Sequence, residues 1–176
     1  MNSPRWFLFD KKDGVLEIFI SGEIDDEHSG AFLDELRDNL PVERINLHIN
    51  SVGGDVFTAV AVYNRLSYLS REGTKVCAFI DGIAASAGAV IAMAAAEITI
   101  PDTSFMMIHA PNGDDERLVS LFTDTFTRVI ANRTGRSRDE VATLLQNGTW
   151  LNGRQAIWER LADTVADPVY GRLKNV

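Results

Sequence analysis

The amino-acid sequence predicts an α/β fold built around a largely parallel β-sheet. Short segments rich in β-branched and other apolar residues alternate with longer segments in which apolar residues recur at helical spacing. This alternation is typical of parallel sheets covered by helices. The chain has 176 residues and shows no repeat, linker or low-complexity segment, so we expect one domain over residues 1–176.

Turn signals divide the first half of the chain into strands and helices. Residues 1–14 are expected to form a short irregular segment, because they end in a Lys-Lys-Asp-Gly turn signal. Pro41 ends the first helix. The expected elements are a strand over residues 15–20, a loop over 21–26, a helix over 28–40, a strand over 45–49, a turn over 50–55 and a helix over 56–69.

The second half of the chain repeats the pattern with more helix. Gly135 ends the longest helix, and Ser137 is expected to cap the next one with Glu140 at the capping-box position. The expected elements are a strand over residues 76–80, an Ala-rich helix over 86–96, strands over 97–100 and 105–108, and helices over 115–134, 137–146 and 153–161.

Composition excludes several classes of function. The formal net charge is −8, whereas surfaces that bind nucleic acid or anionic membrane are normally basic. The apolar stretch over residues 82–96 is too short to span a bilayer, and the N-terminus lacks the pattern of a secretory signal. Cys77 is the single cysteine, so it cannot form an intrachain disulfide, and its strand context predicts a buried thiol. We expect a cytoplasmic protein that binds neither nucleic acid nor membrane.

Three segments carry residues suited to chemistry. The first is NSVGGDV, between a strand and a helix, where paired glycines allow positive φ and exposed N–H groups that could hold an anion or oxyanion. A tight strand-to-helix turn is the plainer interpretation. A phosphate-binding loop is disfavoured because no Gly-Lys-Ser/Thr follows.

The second segment is GIAASAGA, in which Ser86 lies among small residues where a helix should begin. Small neighbours leave room for a substrate carbonyl, and a helix N-terminus stabilises developing negative charge. The alternative is that Ser86 only caps the helix.

The third segment is MMIHAP, in which His109 leaves an apolar strand before a proline-bearing loop. Histidine is the usual general base because its pKa lies near neutrality. A purely structural histidine is the alternative. His28 and His48 have no comparable setting, and His48 is expected to be structural because it lies out of phase with the apolar residues of its strand.

The order and spacing of the three motifs resemble those of the Clp protease proteolytic-subunit family. The resemblance extends from about residue 17 to about residue 163. It implies the αβ-superhelix that this family shares with the crotonases, built from repeated β-β-α units. It also implies a serine endopeptidase acting on proteins or peptides without a cofactor or a metal.

The resemblance assigns roles to particular residues. Ser86 would be the nucleophile and His109 the general base. The oxyanion hole would consist of the backbone N–H groups of Gly54 and Ala87. Members of the family assemble as seven-membered rings that stack in pairs, and degradation of folded proteins requires a separate AAA+ ATPase ring. The resemblance therefore implies a homo-oligomer, with a heptameric ring, a double ring and an ATPase partner as expectations.

The chain departs from the family pattern at the third member of the triad. The aligned position of the family aspartate is Gly148, which cannot orient an imidazolium. The adjacent Asn147 could hold the ring through its amide, or a carboxylate could reach in from elsewhere. The carboxylate candidates are Asp102, Asp114, Asp115, Asp139 and Asp163. A Ser–His dyad is a further alternative.

The segment between His109 and Gly135 is shorter than in the housekeeping members, where it joins the two rings. This departure favours the phage or prophage branch, whose members process capsid or scaffold proteins. Within enzymes, a crotonase or a Ser–Lys peptidase is a competing interpretation, and no lysine lies in a suitable motif. The alternative from another class is a catalytically impaired ring protein with a scaffolding or regulatory role, motivated by Gly148.

Overall fold

The computed structural model describes residues 4–166 and contains an eight-stranded mixed sheet with six helices in that range. The strands are β1 (Phe7–Lys12), β2 (Val15–Ile24), β3 (Arg44–Gly54), β4 (Lys75–Ala85), β5 (Glu97–Pro101), β6 (Phe105–Ile108), β7 (Thr149–Asn152) and β8 (Thr164–Ala166). The helices are α1 (Ser29–Asp38), α2 (Val56–Arg71), α3 (Ala87–Ala92), α4 (Glu116–Thr134), α5 (Arg138–Gln146) and α6 (Gly153–Trp158).

The sheet is largely parallel, as the alternation of elements predicts. Its strands follow the order β1-β2-β3-β4-β5-β8, and β6 pairs with both β4 and β7. The β1–β2 and β6–β7 pairs are antiparallel, and the others are parallel. β4 divides its pairing, because residues 77–79 pair with β5 whereas residues 83–85 pair with β6. The carboxyl end of β4 therefore lies beside β6, and this junction positions the site described below.

Period-two alternation on the central strands places one face of the sheet in the core. Ile45, Leu47 and Ile49 of β3 are fully buried, and they share the core with the apolar sides of the helices. Cys77 is also buried, which confirms its prediction. Among residues 4–166, no helix is both long and apolar enough to cross a membrane.

The prediction of an irregular segment over residues 1–14 is wrong for residues 7–12, and residues 1–3 lie outside the described residues. β1 occupies residues 7–12 and pairs antiparallel with β2 through a two-residue turn, where Asp13 and Gly14 both have positive φ. Asp-Gly is a preferred sequence for this type of hairpin turn. Trp6 stacks on Phe32 of α1 with a ring-centroid distance of 5.0 Å, and Phe7 meets the same ring edge-on. Aromatic packing against α1 therefore holds a strand where the turn signal alone suggested none.

Two predicted loops are extensions of parallel strands. β2 continues to Ile24 and β3 to Gly54, although a loop was expected over residues 21–26 and a turn over 50–55. The two strands keep pairing through a register shift between Gly22 and Glu23. This segment stays in the sheet because each strand supplies backbone partners to the other, although Gly22, Gly53 and Gly54 have positive φ.

The remaining differences lie in short elements. α3 ends at Ala92, and turns replace the last residues of the helix expected over 86–96. The sequence did not predict β7 and β8, which have four and three residues. Strands this short show too little hydrophobic periodicity to be recognised. Each is specified by its pairing, with β6 and β5 respectively.

Candidate active site

Ser86 occupies a sharp junction between a strand and a helix. β4 ends at Ala85 and α3 begins at Ala87, so Ser86 alone turns the chain, with φ 53° and ψ −118°. A positive φ is uncommon outside glycine, and such residues cluster at functional sites. The Ser86 N–H donates to the Met107 carbonyl at 2.8 Å, which fixes the junction to β6. Buried alanines on both sides leave the space that this tight turn needs.

The pairing of β4 with β6 brings His109 to Ser86. Ala85 lies opposite Met107 in the parallel register, and His109 follows the last residue of β6. The imidazole Nε2 lies 2.9 Å from Ser86 Oγ, which is the separation expected of a nucleophile and its base. The Ser86 side chain makes no capping hydrogen bond with α3, so the interpretation as a simple helix cap is not supported.

The glycine pair lies at the carboxyl end of β3, directly beside the serine. A Cβ built on Gly53, which has φ +97°, would lie 2.8 Å from Ser86 Cβ and 3.0 Å from the Ala87 nitrogen. A Cβ on Gly54 would lie 2.0 Å from the Ile24 carbonyl oxygen. Both positions therefore require glycine for close backbone approach, and this approach places the NSVGGDV segment against the start of α3.

Ser51 anchors this glycine pair, and the sequence interpretation missed it. Its buried hydroxyl donates to the Gly22 carbonyl at 2.6 Å and accepts from the Gly53 N–H at 3.1 Å. Because the N–H of Gly53 is engaged in this way, the second glycine, Gly54, is the better candidate donor to a substrate. A serine inside the NSVGGDV motif was the available signal.

Ala87 is the other candidate donor to an oxyanion. It is the first residue of α3, and the first N–H groups of a helix have no partner within the helix. Its nitrogen faces Gly53, where a side-chain carbon would come within 3.0 Å of it. Ser86, Ala87 and the glycine pair thus converge on one small volume.

The partner of the second imidazole nitrogen is not evident in the described part of the chain. Within residues 4–166, the His109 side chain makes one hydrogen bond, to Ser86. The Ala110 N–H donates to the Leu145 carbonyl at 2.9 Å, which places the end of α5 and the following Asn147 and Gly148 beside the histidine loop. Asn147 is exposed and its amide does not reach the ring, so its role stays a prediction.

The carboxylates named as substitutes for the third triad member lie in other arrangements. Asp102 binds Arg154 at 2.9 Å, Asp163 accepts from the Ile98 N–H at 2.7 Å, and Asp115 caps α4. Asp139 lies in the first turn of α5, and Asp114 lies in the loop before α4. None of these five side chains forms a hydrogen bond with His109 in residues 4–166.

The two other histidines contact carboxylates away from Ser86. His28 contacts Asp25 at 2.9 Å, near the start of α1. His48 contacts Glu17 at 3.0 Å on the sheet face opposite the core, where its ring stacks between Phe19 and Phe79. Burial of the His48 ring lowers its pKa, but its contacts with Asp81 and Glu17 outweigh burial and raise the pKa above the ordinary value. Neither histidine takes part in the Ser86 constellation.

An apolar cavity of about 370 Å³ opens beside Gly54. It lies between the starts of α2 and α4 and the loop that follows His109. Its apolar lining consists of Val56, Phe57, Pro111, Leu118, Val119 and Phe122. A pocket of this character beside Gly54, a candidate oxyanion donor, could accommodate an apolar side chain.

Comparisons with known proteins identify the family and the fold. Residues 10–169 match the family model described as Clp protease. ClpP1 from Listeria monocytogenes has a similar structure, with a TM-score of 0.76 and 23% identity over 86% of this chain and 91% of that chain. A point mutant of the same protein gives a TM-score of 0.77, 23% identity, and coverage of 87% and 92%. These structures confirm the predicted α/β fold class, and the family match covers most of the chain. The chain therefore belongs to the Clp protease family, as its three motifs predicted.

Proposed function

We propose that this protein is a serine endopeptidase with Ser86 as nucleophile and His109 as general base. The observation that carries the proposal is the 2.9 Å contact between His109 Nε2 and Ser86 Oγ, made by a serine in a backbone conformation unusual for that residue. A hydroxyl is a weak nucleophile until a base accepts its proton, and this contact supplies the base.

The reaction follows from the positions of these groups. His109 accepts the Ser86 proton while Oγ attacks the scissile carbonyl. The Gly54 and Ala87 N–H groups stabilise the oxyanion, and removal of one such donor typically costs about 3 kcal/mol. His109 then returns the proton to the leaving amine, and the acyl group stays on Ser86 as an ester. A water activated by His109 hydrolyses that ester and regenerates the hydroxyl.

The site works in this proposal as a Ser–His dyad. Impairment of the orienting aspartate in a triad lowers kcat by about 10⁴, while the oxyanion hole and binding still provide substantial catalysis. We therefore expect slow but measurable turnover. Asn147 is the candidate for a substitute partner if the end of α5 approaches the imidazole when substrate binds.

A second candidate is a catalytically impaired ring protein with a scaffolding or regulatory role. The observation that favours it is Gly148 at the position of the family aspartate, together with the lack of a carboxylate on His109 in residues 4–166. The two proposals differ in one property, which is the reactivity of Ser86.

Labelling with a fluorophosphonate probe distinguishes them. The wild type should be labelled, and Ser86→Ala and His109→Ala should abolish labelling while circular dichroism shows the same fold. Absence of labelling in a folded and assembled wild type would overturn the peptidase proposal and support the scaffold.

The proposal also includes the oligomeric state and the cellular location of the protein. We expect residues 1–176 to act as one domain in a cytoplasmic homo-oligomeric ring of seven subunits, with a double ring and an AAA+ ATPase partner as further expectations. Exposed apolar side chains on α4 support a buried subunit surface, with Leu121 57% exposed in the isolated chain. The short link after His109 favours processing of capsid or scaffold proteins in a phage or prophage setting.

The competing enzyme classes have less support. A Ser–Lys peptidase needs a lysine at the serine, but Lys11 donates to the Asn39 carbonyl and Lys75 lies near Glu97 at the start of β4. Lys12 is exposed on β1, and Lys174 lies outside the described residues. A crotonase would use the oxyanion donors without needing the contact between Ser86 and His109.

A further inference from the structure

His109 and Gly148 lie opposite each other at the end of the β6–β7 strand pair. The antiparallel register sets Ile108 opposite Thr149, so the next position sets His109 opposite Gly148. Residues opposed in this way have Cβ atoms about 4.5–5.5 Å apart. The hydrogen bond from the histidine loop to the end of α5 holds the two segments together beyond the strands. A group beside Gly148 would therefore be within reach of the imidazole.

The space beside Gly148 is open. A Cβ built on this glycine, which has φ +60°, would meet no atom of the described chain within 4 Å. The residue is only partly buried, and Asn147 before it is exposed, so the space is continuous with solvent. A small group from outside the chain can therefore approach His109 where a side chain at position 148 would otherwise lie.

Two hydrogen-bond donors border this space. Nε2 of His109 faces Ser86 Oγ as the acceptor of its proton, so the other ring nitrogen, Nδ1, carries the N–H of the imidazole. The side-chain amide of Asn147 also makes no hydrogen bond within residues 4–166. The imidazole gains a positive charge when it accepts the serine proton. The ligand that matches two donors and a developing positive charge is a carboxylate.

The end of α5 lies next to this space, and free carbonyl groups at a helix C-terminus repel anions. Two carbonyls of its last turn are already engaged from outside the helix. The Leu144 carbonyl accepts from the Thr149 hydroxyl at 2.8 Å, and the Leu145 carbonyl accepts from the Ala110 N–H at 2.9 Å. These hydrogen bonds reduce the repulsion that a carboxylate would meet.

We propose that the space beside Gly148 binds a small carboxylate, which acts as the third member of the triad. The assignment rests on the proposed peptidase function and adds the ligand that completes its site. The carboxylate accepts from His109 Nδ1 and from the Asn147 amide, and this holds Nε2 toward Ser86. It stays ionised and stabilises the imidazolium that forms when the Ser86 proton moves to Nε2. Without the ligand, the site works as the slow dyad described above.

The first experiment measures the rate of fluorophosphonate labelling of the wild type in sodium formate and in sodium chloride of the same ionic strength. Formate is the smallest carboxylate, and a ligand of this size binds in about the millimolar range or more weakly, so the titration extends to about 0.5 M. The rate should rise by at least about tenfold and then saturate, because an orienting aspartate is worth up to about 10⁴. Equal rates in the two salts would overturn the proposal.

Variants locate the effect. Gly148→Asn fills the space with a neutral side chain that tolerates positive φ, so formate should no longer accelerate labelling. Gly14→Asn is the matched control, because this glycine also has positive φ and open space around it but lies in the β1–β2 turn. Asn147→Ala should raise the half-saturating formate concentration by about threefold to tenfold. An acceleration that persists in Gly148→Asn would contradict the assigned position.

Peptide hydrolysis identifies the source of the carboxylate. Matched peptides carry either glutamate or glutamine at one position, and they are compared in chloride without formate. Faster cleavage of a glutamate peptide by the wild type, but not by Gly148→Asn, would support the site and assign the carboxylate to the substrate. Equal cleavage of both peptides, with formate accelerating both, would support the site and assign it to a free anion.

Saturation-transfer NMR separates this inference from the proposed function. The formate proton is observed in the presence of the Ser86→Ala protein, in which no chemistry is possible. Transfer should occur, and it should be lost when Gly148→Asn is added. Transfer without labelling of the wild type in either salt would refute the peptidase and retain the carboxylate site. Labelling of the wild type without any transfer to formate would retain the peptidase and overturn the site.

Discussion

The conformation of Ser86 shows how the candidate site depends on single residues. Its φ of 53° lies in a region that costs roughly 1–3 kcal/mol for such a residue, so the surrounding structure must hold it there. The hydrogen bond from its N–H to Met107 and the contact of its hydroxyl with His109 provide that restraint. The small residues and the helix start around Ser86 fitted either a nucleophile or a helix cap, so the role of nucleophile came from the resemblance to the Clp protease family and stays a prediction.

Substitution of Gly148 tests whether His109 lacks an orienting carboxylate. Its φ is +60°, a region in which aspartate is among the better tolerated residues, and a Cβ at this position would contact nothing within 4 Å. Gly148→Asp should therefore fold and supply a carboxylate near the histidine loop. We expect peptidase turnover to rise by at least about tenfold, since an orienting aspartate is worth up to about 10⁴. Peptide hydrolysis measures the change.

The control for that substitution is Gly148→Ala. It imposes a side chain on the same backbone without a carboxylate, so turnover should stay at the wild-type level or fall slightly. Equal rates for the aspartate and alanine variants would show that position 148 does not communicate with His109.

Ser51 provides a second prediction at this scale. Ser51→Ala removes a hydroxyl that serves Gly22 and Gly53, and takes this partner from the buried Gly53 N–H. We expect a loss of about 1–3 kcal/mol in the free energy of unfolding and slower fluorophosphonate labelling. Ser104→Ala is the matched control, because this buried hydroxyl donates to the Asp81 carbonyl and does not touch the glycine pair. Both variants should be less stable, but Ser51→Ala alone should slow labelling.

At the scale of the elements, the sequence predicted which strands exist better than where they end. Apolar alternation identified the central strands because one face of each is buried. It failed for β1, whose existence depends on the contact of Trp6 and Phe7 with a helix later in the chain. It also failed at the ends of β2 and β3, where pairing between the two strands outweighs the preference of glycine for turns. Long-range partners decide such boundaries, and local patterns do not contain them.

The outer face of the sheet carries a prediction about pH. His48 stacks on Phe19 and Phe79 and contacts Glu17 and Asp81, and its pKa is raised in spite of burial. A raised pKa in the folded state stabilises the protein fully below the unfolded pKa, near 6.5, and this contribution is lost as pH rises through the folded pKa.

The variant that isolates this effect is His48→Phe, which keeps an aromatic ring in the stack without a charge. Urea unfolding of both proteins between pH 5.5 and 8.5 measures the difference in stability. The advantage of the wild type over the variant should be largest at pH 5.5 and should decrease toward pH 8.5. A constant difference, or one that grows with pH, would contradict the assigned direction of the pKa shift.

At the scale of the whole molecule, the fold class could be predicted because strand and helix patterns alternate along the chain. The family could be predicted because three short motifs occur in a characteristic order and spacing. Assembly is encoded differently, in exposed apolar side chains that periodicity assigns to a helix without saying what covers them. Leu118 and Leu121 are exposed on α4, at 41% and 57%, and Leu118 lines the cavity while Leu121 does not. Leu121 therefore allows assembly to be tested apart from substrate binding.

Leu121→Glu should weaken the oligomer, because a buried charge without a partner is unfavourable in an apolar interface. Native mass spectrometry of the wild type should show a species of about 136 kDa, which corresponds to seven chains of 19.4 kDa. The variant should shift toward smaller species at the same protein concentration. Leu121→Met, which preserves apolar area and helix propensity, should assemble like the wild type. A wild type that is monomeric at micromolar concentration would overturn the ring proposal, and an unaltered Leu121→Glu oligomer would place the subunit contact away from this residue.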